Sequence, residues 1–244
     1  MVAVAGRARL PAGVDPAAGS VTLTVAGCAL TALPSGALWW PGEATLILAD
    51  MHLEKGSRMA MRGLMVPPYD TGLTLGLIEG LVAALEPKRV ISLGDAFDDG
   101  GGAVRLELAC RERLTAVQAG RDWIWIAGNH DPRLEADVGG IETDELAIGP
   151  LVFRHEPRQG AAPGEIAGHL HPAARVFLGP KSVRRRCFVC DGERLILPAL
   201  GAYAGGLSVT DPAFHGLFRR EALSVALLGD GRVYSFPRRM LSAG

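Results

Sequence analysis

The stretch Ala44-Thr45-Leu46-Ile47-Leu48-Ala49-Asp50-Met51-His52 closes a mostly apolar run on a carboxylate and an imidazole two residues apart. The construction returns twice. Residues 89–93 run into Gly94-Asp95-Ala96-Phe97-Asp98, and 123–127 into Gly128-Asn129-His130-Asp131. Apolar runs of this length bounded by glycine read as buried strands, and the stretches between them, 73–85 and 104–117, carry helical spacing. Strands alternating with helices predict a parallel sheet in an α/β fold. Each polar signature then falls at a strand's C-terminal end, where the loops of such a sheet converge on one edge. Beyond residue 145 strand-like runs dominate, at 151–153, 165–168, 175–178, 186–189, 195–197, 224–228 and 232–236, and these predict a second sheet.

Five of the six histidines lie in one ordered series: Asp50-x-His52, Gly94-Asp95-x-x-Asp98, Gly128-Asn129-His130-Asp131, His155, and Gly168-His169-x-His171. Carboxylates, neutral imidazoles and one amide oxygen, with no thiolate among them, suit divalent first-row ions: Mn, Fe, Zn, Co or Ni. Asp50, His52, Asp95, Asn129, His155, His169 and His171 make seven ligands. One catalytic ion with an open position needs roughly three or four, so the series predicts two ions. On strand ends, residues two apart point the same way, which pairs Asp50 with His52 and His169 with His171. We assign Asp50, His52 and His171 to one ion, Asn129, His155 and His169 to the other, and Asp95 as the bridge. Two bridged ions clamp both oxygens of an in-line displacement at phosphorus, with a bridging hydroxide as attacker. His130, left over beside a ligand, is read as the general acid that protonates the leaving oxygen, with Asp131 fixing its tautomer. His215 stands outside the series and is read as structural.

The ordered series resembles the calcineurin-like metallophosphoesterase superfamily. Leu48-Ala49-Asp50-Met51-His52-Leu53-Glu54-Lys55-Gly56, Pro67-Pro68-Tyr69-Asp70-Thr71, Leu93-Gly94-Asp95, Leu195-Ile196-Leu197-Pro198-Ala199, Gly201 and Gly205-Gly206 are similar to one bacterial branch, the ligase-associated DNA-damage-response endonucleases. The similarity runs from about Leu46 to about Val209. It implies a four-layer α/β/β/α sandwich, two divalent ions with Mn2+ foremost, phosphodiesterase or endonuclease activity on DNA, and a repair role beside a DNA ligase or helicase. One departure stands out: many superfamily members follow the second motif's aspartate with arginine, whereas Asp98 is followed by Asp99 and Gly100. A phosphate clamp is thereby removed, and either Asp98 or Asp99 can fill the supporting position behind the metal ligands.

Of the 244 residues 48% are hydrophobic, enough for a large core, and we read residues 21–244 as one domain behind a loose N-terminal tail, 1–20. A net charge of −1 gives no global pull on a polyanion, so any nucleic-acid contact must be local. Three features are candidates for it. Lys55 follows the first ligand pair, Tyr69 sits in a stiff Pro67-Pro68-Tyr69 rim, and Lys181, Arg184, Arg185 and Arg186 form the densest basic run; each also reads as an ordinary solvated or connecting residue. No apolar stretch reaches the roughly 18 to 20 residues that span a bilayer, and Pro11, Gly13, Asp15 and Pro16 interrupt any signal-peptide core, so the expected setting is cytoplasmic. The four cysteines form no disulfide framework, and Cys187-x-x-Cys190 on a strand would face opposite sides. Two other readings are weighed against the nuclease. A small-molecule nucleotide pyrophosphatase of the same superfamily usually carries an inserted helical cap, for which there is little spare length; a non-catalytic scaffold would have lost ligands.

Overall fold

The computed structural model describes residues 15–134, 138–179 and 181–241. Among them the first sheet takes its strands in chain order: β1 (Val21–Val25), β2 (Cys28–Ala32), β3 (Leu38–Trp40), β4 (Thr45–Leu48), β5 (Arg89–Leu93), β6 (Asp122–Ile126) and β7 (Ile141–Thr143). Pairing is antiparallel up to β4 and parallel from there to β7. The helices α1 (Lys55–Met61), α2 (Asp70–Leu85), α3 (Gly102–Arg105) and α4 (Leu108–Gln118) lie in the crossovers. The second sheet holds β8 (Glu145–Ile148), β9 (Leu151–Arg154), β10 (Glu165–Ala167), β11 (Pro172–Leu178), β12 (Lys181–Cys190), β13 (Arg194–Ile196), β14 (Leu207–Ser208), β15 (Ser224–Leu228) and β16 (Val233–Pro237).

β4, β5 and β6 read as nearly continuous apolar runs because both faces of the parallel strands are covered. Ile47, Ile91, Leu93, Ile124 and Ile126 face the second sheet, meeting Leu151, Phe153, Ile166, Phe188 and Leu195. Their neighbours Leu46, Leu48, Val90, Trp123 and Trp125 face the other way, onto Leu75, Ile78 and Leu81 of α2 and Leu114 and Val117 of α4. The outer face of the second sheet, with Val176, Cys187, Val189, Val225 and Leu227, is covered by Phe214 and Leu217. This is a mixed α/β fold of two large sheets. Among the described residues its fourth layer is irregular, carrying two 3-10 turns (Pro212–Phe214 and Arg238–Met240) where the sandwich expectation places helices.

Other details also depart from expectation. The helical spacing at 104–117 is realised as α3 and α4, parted at Leu106 and Glu107, whose ψ angles of 120° and 146° are extended. Arg184, Arg185 and Arg186 lie in β12, paired with β11, and are not a loop. Of the expected loose tail, residues 1–14 lie outside the described residues. Residues 15–20 form a hydrogen-bonded turn, with Pro16 buried and the Gly19 carbonyl accepting from Val233 of β16 at 2.8 Å. Among the described residues no helix is long and apolar enough to cross a membrane.

Candidate metal centre

The candidate ligands sit on loops immediately after β4, β5, β6, β9 and β10, but strand pleating does not aim them. Asp50 (φ 51°), His52 (φ 43°), Asp95 (φ 46°), His169 (φ 68°) and His171 (φ 44°) all adopt the left-handed backbone region. Each such residue costs on the order of 1 to 3 kcal/mol and persists only where surrounding contacts enforce it. Here the loops are tied to one another. His52 N donates to Asp95 O at 2.9 Å, Leu53 N to Ala96 O at 2.8 Å, Gly201 N to Asp50 O at 3.1 Å, and His169 N to the Asp50 carboxylate at 3.0 Å. Two glycines permit the crowding. A Cβ on Gly128 would collide with the Asp95 main chain and carboxylate, and one on Gly94 (φ 73°) with the His155 ring.

The distances place these side chains in two groups. His52 Nε2 and His171 Nε2 lie 3.1 Å apart, with Asp50 Oδ1 3.3 Å from the latter. Across the site, Asn129 Oδ1 is 2.9 Å from both His155 Nε2 and His169 Nδ1, which are themselves 3.1 Å apart. Asp95 lies between the clusters, Oδ2 at 3.8 Å from His52 Nε2 and Oδ1 at 3.4 Å from His155 Nε2. Asp50, His52, Asp95 and His155 are all buried.

This arrangement fits divalent ions. His155 Nδ1 donates to the Leu93 carbonyl at 2.8 Å, which leaves a lone pair on Nε2 facing an amide oxygen and another imidazole nitrogen. His52 Nδ1 lies 3.1 Å from Asp98 Oδ1, so its Nε2 lone pair likewise faces His171 and Asp50. One proton can bridge one such contact, whereas a cation satisfies all of them at once; partners behind metal-bound imidazoles typically fix the tautomer in this way.

Asp98, and not Asp99, stands behind the ligands. Its carboxylate meets His52, Lys55 Nζ at 2.9 Å and Arg58 Nη1 at 2.9 Å. Burial opposes its ionisation, but His52, Lys55 and Arg58 together hold the carboxyl well below the usual range. Asp99 pairs with Arg105 and Arg58. His130 turns Nδ1 to the Asp98 carbonyl at 2.8 Å and Nε2 towards Asp95 Oδ2 at 3.9 Å. Asp131 was expected to orient that ring and does not: its Oδ2 accepts from Phe97 N at 2.8 Å, and burial, with Asp95 nearby, pushes its carboxyl up to about 7. The main-chain oxygen of Asp98 meets the ring instead, where His130 N donates to Asp95 Oδ1 at 2.9 Å and so ties the β6 loop to the β5 loop.

The three substrate-contact candidates fare differently. Lys55 is committed to Asp98. Tyr69 is exposed at the start of α2, in the segment whose Pro67 carbonyl accepts from the Tyr203 hydroxyl. Arg186 is turned to main-chain oxygens: its guanidinium donates to Ala199 O at 2.8 Å and Gly201 O at 3.3 Å, and Gly201 in turn braces Asp50. Arg184 donates to Gly206 O and Arg185 to Arg184 O, both from exposed positions. Arg58, outside every motif of the ordered series, also belongs to the site: its Nη1 donates to the Asp98 carbonyl at 2.6 Å and lies 3.4 Å from His130 Nδ1. Its signal was the spacing Lys55-x-x-Arg58, one face of a helix.

A model of the calcineurin-like phosphoesterase family matches residues 44–194, which run from β4 to the first residue of β13 and include every candidate ligand. The crystal structure of Pseudomonas putida nuclease MPE is similar to this chain at 26% identity and a TM-score of 0.71, covering 89% of this chain and all of that one. The E. coli phosphoesterase Yfce is 16% identical over 79% of this chain and 98% of its own, with a TM-score of 0.35. No curated protein sequence matches.

Proposed function

We propose, from the premise that this chain belongs to the calcineurin-like phosphoesterase family and is a metal-dependent phosphoesterase, that it hydrolyses phosphodiester bonds in nucleic acid, DNA foremost. The observation that carries the reading is Asp95, which presents one carboxylate oxygen to each of two three-residue clusters. Similarity to a nuclease over 89% of the chain supports the substrate class. Two divalent ions, manganese foremost, held by Asp50, His52 and His171 and by Asn129, His155 and His169 with Asp95 between, would polarise a phosphoryl group, activate water and neutralise developing charge.

The chain's own groups do the rest. His130 keeps Nδ1 on the Asp98 carbonyl, and its side chain remains one-third exposed, so Nε2 is the atom from which a proton reaches the leaving oxygen. Arg58 supplies, from α1, the positive charge that the second motif lacks after Asp98, and it braces the carbonyl that orients His130. A cytoplasmic DNA-repair role beside a ligase or helicase completes the proposal and rests on the resemblance of the sequence motifs.

Manganese-loaded protein assayed on bis-p-nitrophenyl phosphate, a p-nitrophenyl monoester and labelled single- and double-stranded DNA tests it. The diester and at least one DNA are expected to be cut, with the monoester slow. Monoester turnover without DNA cleavage would overturn the nuclease reading.

A further inference from the structure

Charge is divided unequally along the chain. From Pro172 to the C-terminus, eleven basic side chains stand against five acidic, a net of +6; the first 171 residues, with fourteen against twenty-one, carry −7. The whole-chain value of −1 conceals this asymmetry. The positive part includes an open cleft of about 670 Å³ on the outer side of the second sheet. Arg220, Arg238, Arg239 and His215 line it, over an apolar wall that includes Phe214 and Phe218, and no carboxylate is among the lining residues. These three guanidinium groups have no hydrogen-bond or ion-pair partner among the described residues, unlike Arg194 and Arg219 nearby, which are paired. Like charges gathered at one concave surface without counter-charges create a field that attracts a polyanion.

The main chain ties the wall of the cleft to a loop of the metal centre. Leu207 N donates to the carbonyl of the candidate ligand His171 at 2.9 Å, and Val209 N to Ala173 O at 3.0 Å; Val209 and Thr210 then line the cleft. Val209 directly follows β14 and the chain then turns, with Asp211 N donating to Ser208 O at 2.9 Å, so the cleft begins two residues beyond the one bonded to the ligand loop. We propose that the cleft of Arg220, Arg238 and Arg239 is a second phosphate-binding site, which holds the backbone of a nucleic-acid strand beyond the bond being cut. The inference rests on the nucleic-acid reading of the metal centre. It predicts that the protein measures substrate length: a short substrate fills the metal centre alone, and a longer one is held at both places.

The test compares wild type with the folded triple variant Arg220→Gln/Arg238→Gln/Arg239→Gln on bis-p-nitrophenyl phosphate, an oligonucleotide of about 4 nucleotides and one of about 30. The small diester and the short oligonucleotide should be turned over within twofold of wild type. For the long strand, KM should rise about tenfold or more, and the log–log salt slope should flatten by roughly 2 to 3, since each lost phosphate contact contributes about 0.7 to 0.9. An unchanged KM and salt slope on the long strand would overturn the cleft and leave the nuclease reading standing. Equal losses on all three substrates would overturn it too, since the arginines would then serve the fold. If wild type cuts the small diester but neither binds nor cuts either oligonucleotide, the nucleic-acid reading itself fails and the cleft falls with it.

Discussion

Asp50, His52 and His171 form one grip and Asn129, His155 and His169 the other; the two match in size and backbone device but differ in charge. Both place histidines in left-handed loops, and both fix a tautomer from behind. Behind His52 stands the Asp98 carboxylate; behind His155 stands the Leu93 main-chain oxygen. The first grip contains a carboxylate, and the second contains an amide in its place. Burial pushes the Asp50 carboxyl up, yet His171, His155 and His52 outweigh it and bring it below its ordinary range. Burial, reinforced by His155, lowers the His169 imidazole, which keeps it in the neutral form that coordinates. One loop geometry thus carries two clusters of unequal charge, and if each takes a divalent ion the more anionic one is expected to bind it more tightly.

The largest effect should come from the residue shared by both grips. Asp95→Asn should lower diester turnover by about 10³-fold or more and remove metal from both clusters, because an amide cannot neutralise two cations. Wild-type metal content with near wild-type rate would show that the grips are independent. His130 lies near enough to His52 and Asp95 to be a further ligand of the first grip, and His130→Ala decides between ligand and acid. As an acid, its loss should slow a diester with a poor leaving group by roughly 10² to 10⁴, slow a p-nitrophenyl ester less, and leave metal content intact. Metal loss, or equal slowing of both substrates, would refute the acid assignment.

Asp98→Asn sharpens the asymmetry. Removing the carboxylate behind His52 should weaken metal at the first grip about 10- to 100-fold, as loss of such a supporting partner typically does, and leave the second nearly unchanged. Calorimetric titration of the two sites would detect it, and equal weakening of both would erase the distinction. The smallest effect on chemistry belongs to Cys187→Ala. Its thiol is buried, burial pushes its pKa up, and it packs on the outer face of the second sheet while Cys190 packs between the sheets. Turnover and metal content should be unchanged, at about 1 to 2 kcal/mol in stability by thermal unfolding.

The candidate ligands were legible because each follows an apolar run and its chemistry is carried by residue type alone. Their aim was not: period-two alternation pairs Asp50 with His52, but in the structure the two are brought together by left-handed backbone held by Gly201 and the Asp95 loop, contacts distant in sequence. Asp131 illustrates the limit, since adjacency suggested a partnership with His130 that a carbonyl from another loop performs. Arg186 shows the same limit, because a basic run looks alike whether it faces solvent or main-chain oxygens. The antiparallel edge β1–β3 was missed although Val21-Thr22-Leu23-Thr24-Val25 alternates strictly, with buried Leu23 and Val25 on one face. The irregular fourth layer had no periodic signal to read.

Metal stoichiometry recorded together with turnover decides whether the two grips each take an ion. Chelated protein is titrated with manganese, bound ion is counted per chain, and diester hydrolysis is followed in the same samples. The account predicts two ions per chain, with turnover appearing only as the second, weaker grip fills. Full turnover with one ion bound per chain, or in the chelated protein, would contradict it.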